Sequence, residues 1–208
     1  MNKNDLYRGI VSCPLKCNDI IRDESSNIPR GFYTKANIGD AIDLMLIAIN
    51  PGQPMKSQTG KYSRMTSAQK VRVIFASKNF EPPYGKNFHR RLVKWAAYIL
   101  DVSEEQVFSK AIYTNLVKCT TPGNKTPHKE TAYTCFQHHL SNEIRAWNPR
   151  AIVALGEKTD KYLRGFSLSK DIYFLPHPSH RKHKNYHKPF VKKIRNAILT
   201  KRRVKEKG

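Results

Sequence analysis

Acidic residues are scarce in this sequence: 16 Asp and Glu stand against 38 Lys and Arg, for a formal net charge of +22 over 208 residues. A field of one sign this strong concentrates polyanions around a protein. Solubility needs far less charge and no single sign, so a merely solvated surface is the plainer but weaker reading, and nucleic acid is the expected partner. Long apolar runs are missing too. None approaches the length that crosses a bilayer, and the opening Met1-Asn2-Lys3-Asn4-Asp5 lacks the apolar stretch of a secretory signal, so the expectation is a cytoplasmic protein, held near the nucleoid, with no membrane partner. Cysteine is sparse. Four residues, Cys13, Cys17, Cys119 and Cys135, do not make a disulfide scaffold, and in a reducing compartment they read as metal ligands or buried thiols. There is no internal repeat, and the one biased stretch is the basic end, where residues 180–208 hold twelve Lys or Arg and a single acid, Glu206.

The length suits one domain over residues 1–208. A loop-rich lead-in with one short helix is expected over 1–42, and a basic C-terminal helix and tail over 187–208. Between them, Leu44 to Ile49 is a continuous apolar run stopped by Asn50-Pro51-Gly52, the pattern of a strand buried on both faces. Leu92, Trp95 and Ile99 recur at helical spacing after Phe88. Ala111–Asn115 reads as a strand. Tyr133, Phe136, Leu140, Ile144 and Trp147 mark one face of a further helix ended by Pro149, and Ala151–Leu155 is a strand closed by Gly156. A short helix over Glu157–Leu163, a strand Ile172–Leu175 and a last helix carrying Phe190, Ile194 and Ile198 complete the order. This alternation predicts an α/β fold, a three-layer α/β/α arrangement around a central parallel sheet of about four strands. In such sheets ligands bind beyond the carboxyl ends of the strands, which places the segments after Ile49, Asn115 and Leu175 around one cleft.

Three of those strand ends carry residues that together resemble the uracil-DNA glycosylase superfamily. Ala48-Ile49-Asn50-Pro51-Gly52 resembles its first motif in the Asn-Pro-Gly form of the mismatch-specific and single-strand-selective branches. His177-Pro178-Ser179 resembles the second motif. Asn115-Leu116-Val117-Lys118-Cys119, followed by Pro122-Gly123-Asn124-Lys125-Thr126-Pro127, is similar to a segment of the iron–sulfur branches. Each motif alone is short enough to arise by chance, and Asn-Pro-Gly serves in many turns. Their order, each following an expected strand, carries the resemblance, which covers most of residues 10–200. The chain combines features of different branches, leaving the base preference open among uracil, thymine-derived lesions and hypoxanthine.

The resemblance implies a uracil-DNA glycosylase-like fold and a monofunctional hydrolase that cuts the N-glycosidic bond of uracil, or a related deaminated base, in single- or double-stranded DNA, acting as a monomer and initiating base excision repair. It places a structural 4Fe-4S cluster on Cys13, Cys17, Cys119 and Cys135. Four thiolates suit zinc as well, and unliganded buried thiols remain an alternative. Asn50 and His177 are the implied catalytic residues, Asn50 orienting water and a neutral His177 stabilising the departing base. Asn115 is implied to read the base edge, with Ala48, Ile49, Pro51 and Gly52 around it. Tyr62 stands where a stacking aromatic is expected, or is a surface tyrosine of a polar loop. Ser179, His180, Arg181, Lys182 and Lys184 form the implied DNA-contact loop. With an amide and no carboxylate at position 50, turnover should be slow, because an amide cannot take a proton. The rival reading is a non-catalytic nucleic-acid-binding protein on the same fold, stabilised by a four-cysteine metal site.

Overall fold

The computed structural model describes residues 2–23, 25–52, 60–70, 80, 87–179 and 186–206, with side chains described as far as residue 200. Four strands, β1 (Leu44–Ala48), β2 (Ala111–Asn115), β3 (Ala151–Leu155) and β4 (Ile172–Leu175), form one sheet in the order β2-β1-β3-β4. All three pairings are parallel, and Ala48 lies in register with Asn115. Every residue of β1 and of β3 is buried, because both strands are central and covered on two faces. Side chains alternate between those faces: Leu44, Leu46 and Ala48 enter one apolar cluster, Met45 and Ile47 the other. The expected three-layer α/β/α architecture is present.

One face is covered by α2 (Asn87–Leu100), α3 (Val107–Lys110) and α7 (Lys188–Glu206), which contribute Leu92, Ile99, Phe108, Val191, Ile194 and Ile198. The other is covered by α1 (Lys3–Val11), α4 (Lys129–Cys135), α5 (Ser141–Trp147) and α6 (Glu157–Arg164). Connections leave β1 over one face and β2 over the other, so the chain reverses direction between β1 and β3, the position where open α/β sheets form a crevice.

Two expectations need correction. Tyr133 is 46% exposed. A π turn over Phe136–Leu140 joins α4 to α5, and its extra residue turns Tyr133 away from the face that carries Leu140, Ile144 and Trp147 by roughly 100°. Trp95 is only partly buried and lies against His187, while Val93, Ala96 and Leu100 complete the buried face of α2. The lead-in holds one helix, α1, followed by loop, and it packs on the sheet: Leu6, Tyr7, Ile10, Ile28 and Phe32 all enter the core, and Tyr33 bridges antiparallel to Tyr113 at the β2 edge. Leu6, Tyr7, Ile10 and Val11 follow helical spacing on α1, whereas Ile28 and Phe32 lie in loop that no periodicity announces.

Candidate active site

The first motif begins where β1 leaves the sheet. The carbonyls of Ala48 and Ile49 accept from the backbone N–H groups of Leu116 (2.8 Å) and Val117 (2.9 Å), so the chain beyond β2 runs alongside it. Ala48 is buried, and Ile49 packs on the core. Asn50 Nδ2 donates to Thr121 Oγ1 at 3.0 Å and to the Pro51 carbonyl at 3.3 Å. Its Oδ1 takes no hydrogen bond among the described residues and remains an acceptor. The Gly52 carbonyl accepts from Thr120 Oγ1 at 3.4 Å, pinning the end of the motif to the same loop.

Asn115, the last residue of β2, is 3% exposed. The hydroxyl of Tyr113 donates to its Oδ1 at 3.4 Å, and Lys118 Nζ donates to its backbone carbonyl at 2.7 Å. Lys118 is itself buried, ion-paired to Glu143 at 2.6 Å and bonded to Thr114 Oγ1 at 2.7 Å, while Thr114 donates to the other Glu143 oxygen at 2.7 Å. Such a pair resists disruption because removing either partner strands a charge in a medium of low dielectric. It fixes the backbone from Thr114 to Lys118, and so the carbonyl next to the Asn115 amide.

At the end of β4 stands His177. The backbone N–H of Ser179 donates to its Nδ1 at 3.3 Å, so this nitrogen is an acceptor, and a neutral ring with that bond carries its proton on Nε2. Phe88 lies against the imidazole with centroids 5.2 Å apart, and also reaches Tyr113 at 5.9 Å, which links the His177 and Asn115 strand ends through aromatic contacts. Arg91 Nη1 donates to the Pro178 carbonyl at 3.1 Å and ties the His-Pro-Ser turn to α2. Behind it Gly156 has φ of +93°, and its N–H donates to the Leu175 carbonyl at 2.8 Å. A Cβ on Gly156 would stand 3.4 Å from the His177 Cβ, so this strand end has a backbone that favours glycine and a neighbour close to it.

Tyr62 is not a surface residue: it is 1% exposed, in the core cluster, with Arg30 5.8 Å over its ring and donating to its hydroxyl at 3.4 Å. Its backbone N–H donates to the Ser25 carbonyl at 2.8 Å, and Gly60 N–H donates to Ser26 Oγ at 2.8 Å. The loop that receives them is organised by Asp23, whose carboxylate accepts from Ser25 N at 2.8 Å, Ser26 N at 2.6 Å and Asn27 Nδ2 at 2.5 Å. Partial burial of Asp23 acts to raise its pKa, but these hydrogen bonds together outweigh that and hold it well below the usual carboxylate range. Ser179 is exposed, while His180, Arg181, Lys182 and Lys184 of the expected DNA-contact loop lie outside the described residues.

All four cysteines line one cavity, together with Ile10, Leu15, Val117 and His139. They are free thiols. The Lys118 backbone N–H donates to Cys135 Sγ at 3.4 Å. Burial pushes the Cys119 thiol up to about 12 and the Cys135 thiol up to about 11, so metal binding here must release protons. Among the described residues, no group of three or more Cys, His, Asp or Glu is arranged as a formed metal site. The donor set nevertheless fits a thiolate-held group: four sulfurs reach one apolar cavity, two from the segment after α1 and two from around β2 and α4. His139, 8% exposed with no hydrogen bond to Nε2 among the described residues, is lowered to about 4 by burial and by the Lys118 charge.

Sequence reasoning did not single out Thr121, Arg91, Glu143 or Asp23, and took Phe88 only as the start of a helix. They lie in the lead-in, on α2, in the loop after β2 and on α5, and none belongs to a motif. Lys118 lies inside a marked motif, Thr121 stands beside one, and Gly156 was read only as the end of a strand.

The arrangement thus holds an amide whose oxygen is unbonded among the described residues, a buried amide and an imidazole at the carboxyl edge of one parallel sheet. Comparison with known proteins bears on the family. A stretch of 65 residues, 31% of this chain, is 37% identical to a type-4 uracil-DNA glycosylase of Saccharolobus solfataricus, and spans 28% of that protein's length. The family model described as the uracil DNA glycosylase superfamily matches residues 37–199, well over half of the chain and all four strands. On that match, together with the sheet order and the motif-bearing strand ends, this chain belongs to the uracil-DNA glycosylase superfamily.

Proposed function

We propose that the protein is a monofunctional DNA glycosylase that hydrolyses the N-glycosidic bond of uracil, or of a related deaminated base, in DNA and so begins base excision repair. The observation that supports this best is His177, whose Nδ1 accepts from Ser179, leaving Nε2–H as the donor of a neutral ring. The target nucleotide must leave the stack, at a cost of a few kcal/mol, before any side chain can reach its bond. Tyr62, Ala48, Ile49, Pro51 and Gly52 bound the proposed pocket, and the Asn115 amide pairs with the polar edge of the base. The bond between sugar C1′ and the base nitrogen breaks with its electron pair going to the base, and a preorganised donor stabilises that charge best. His177 Nε2–H is that donor. Asn50 Oδ1 orients the water whose oxygen bonds to C1′; the water's proton passes to solvent, and the base anion is protonated from solvent. Lys118 is held by Glu143, Thr114 and the Asn115 carbonyl, which takes it out of play as a nucleophile and favours hydrolysis without strand cleavage.

Cys13, Cys17, Cys119 and Cys135 would hold a 4Fe-4S cluster, with zinc as the alternative occupant, and the group would supply a crosslink between the lead-in and the segment that carries Asn115. Absorbance near 400 nm with bound iron distinguishes the cluster from zinc. Ser179 and the loop that follows are the proposed duplex or single-strand contact. The reading is tested by base release from single- and double-stranded oligonucleotides carrying uracil, thymine mispairs or hypoxanthine. Release of uracil that falls at least 100-fold in His177→Ala, the effect typical of losing one such donor, is the expected result. No release by the wild-type protein, or equal release by the variant, sinks it.

A further inference from the structure

A groove away from the strand ends runs between α2 and α7, on the outer side of one helical layer. It is lined by Trp95, Tyr98, His187, Lys188, Val191 and Lys192. The Trp95 and His187 rings lie 4.4 Å apart, and Tyr98, 50% exposed, is among the most exposed aromatic residues described. Arg195 lies over the Tyr98 ring at 4.7 Å and is bonded to the Tyr98 carbonyl, so the ring is held in place before any ligand arrives. Lys188 and Lys192 are exposed on adjoining turns of α7, and Arg90, Arg91 and Lys94 are exposed on α2. None of the six lining residues is acidic; Asp101, just past α2, is paired with Arg195 at 2.8 Å.

One side chain, Arg91, stands between the groove and the His-Pro-Ser turn. Arg91, which holds the Pro178 carbonyl, lies one turn before Trp95 and close enough to His187 to add to the lowering of its pKa by burial. From Arg91 to Tyr98 the helix advances about 10 Å, the length of roughly three stacked bases of one strand. Aromatic faces interleaved with lysines are what an unpaired strand requires: bases stack on the rings while phosphates meet the ammonium groups. A duplex has no free base faces to offer. An acidic peptide would use the lysines and leave Tyr98 unengaged.

We propose that the groove between α2 and α7 binds an unpaired stretch of DNA, with Tyr98 stacking a base and Lys188 and Lys192 contacting phosphates. This goes beyond the glycosylase reading, and undamaged DNA tests it, so a failure of base release leaves the test unaffected. Binding of the whole protein to a fluorescent thymidine oligonucleotide and to an undamaged duplex of equal length is measured by anisotropy across a salt series. Tyr98→Ala is expected to weaken single-strand binding by roughly 5- to 150-fold and duplex binding much less. Lys188→Gln with Lys192→Gln is expected to reduce the salt slope on the single strand by about 1.4, at about 0.7 for each lost contact. Lys158→Gln with Lys161→Gln, on α6 in the opposite layer, removes the same charge and is expected to change that slope by less than half as much. Single-strand affinity unaltered in Tyr98→Ala overturns the proposal. So does an equal loss on duplex, or a slope change in the α6 pair matching the groove pair. Circular dichroism of each variant separates lost binding from lost folding.

Discussion

Removing the Glu143 carboxylate tests how the buried charges hold the strand end that carries Asn115. Glu143 and Lys118 side chains are each 1% exposed and 2.6 Å apart. In Glu143→Ala the Lys118 ammonium keeps two neutral acceptors, Thr114 Oγ1 and the Asn115 carbonyl, but loses its counter-charge inside the core. Breaking a buried pair from one side costs about 3 to 5 kcal/mol. At roughly 2 to 4 °C per kcal/mol for a chain of this size, the melting temperature should fall by roughly 6 to 20 °C. Replacing both partners with apolar residues of similar volume, Lys118→Met with Glu143→Leu, should bring stability back to within about 1 kcal/mol of wild type, since no charge is then buried. Urea unfolding followed by circular dichroism measures both. Base release should separate from stability: the double variant leaves the Asn115 carbonyl without its ammonium donor, a charge-assisted bond whose loss predicts roughly tenfold slower release. A single variant that loses less than about 1 kcal/mol, or a double variant less stable than the single one, would refute the reasoning.

Two further outcomes are expected. Gly156→Ala puts a side chain at φ +93° and 3.4 Å from the His177 Cβ, so it should cost about 1 to 2 kcal/mol in urea unfolding and slow base release by disturbing that imidazole. Asp23 has a depressed pKa in the folded protein, so its contribution is present above the ordinary Asp value of about 3.9 and is lost as pH falls through the lower folded value. The stability gap between wild type and Asp23→Ala should therefore be full at pH 5 and narrow below pH 3.9 in a urea–pH series; a gap that widens with acid contradicts the assignment.

Much of the fold was legible in the sequence because parallel strands covered on both faces need uninterrupted apolar runs. Leu44–Ala48 and Ala151–Leu155 are such runs, and each stops at a residue that cannot continue a strand. The motifs were legible for a related reason: Asn50, Asn115 and His177 sit at strand ends, where local chemistry fixes position. Irregular packing was not legible. Tyr133 was turned outward by a π insertion that leaves no compositional trace, and beyond α1 the lead-in joined the core through Ile28 and Phe32, which belong to no periodic segment.

The sequence by itself determined the alternation of strands and helices, the excess positive charge and the placement of three polar groups after three strands. It could not determine that Thr121 engages the Asn50 amide, that Glu143 is buried against Lys118, or that Phe88 lies between Tyr113 and His177. Nor could it show that Cys13 and Cys17 share a cavity with Cys119 and Cys135. Those relations join residues 25 to 122 positions apart, and no local rule of spacing or propensity acts over such separations. They exist only once the sheet order and the layers on its two faces have brought the elements together.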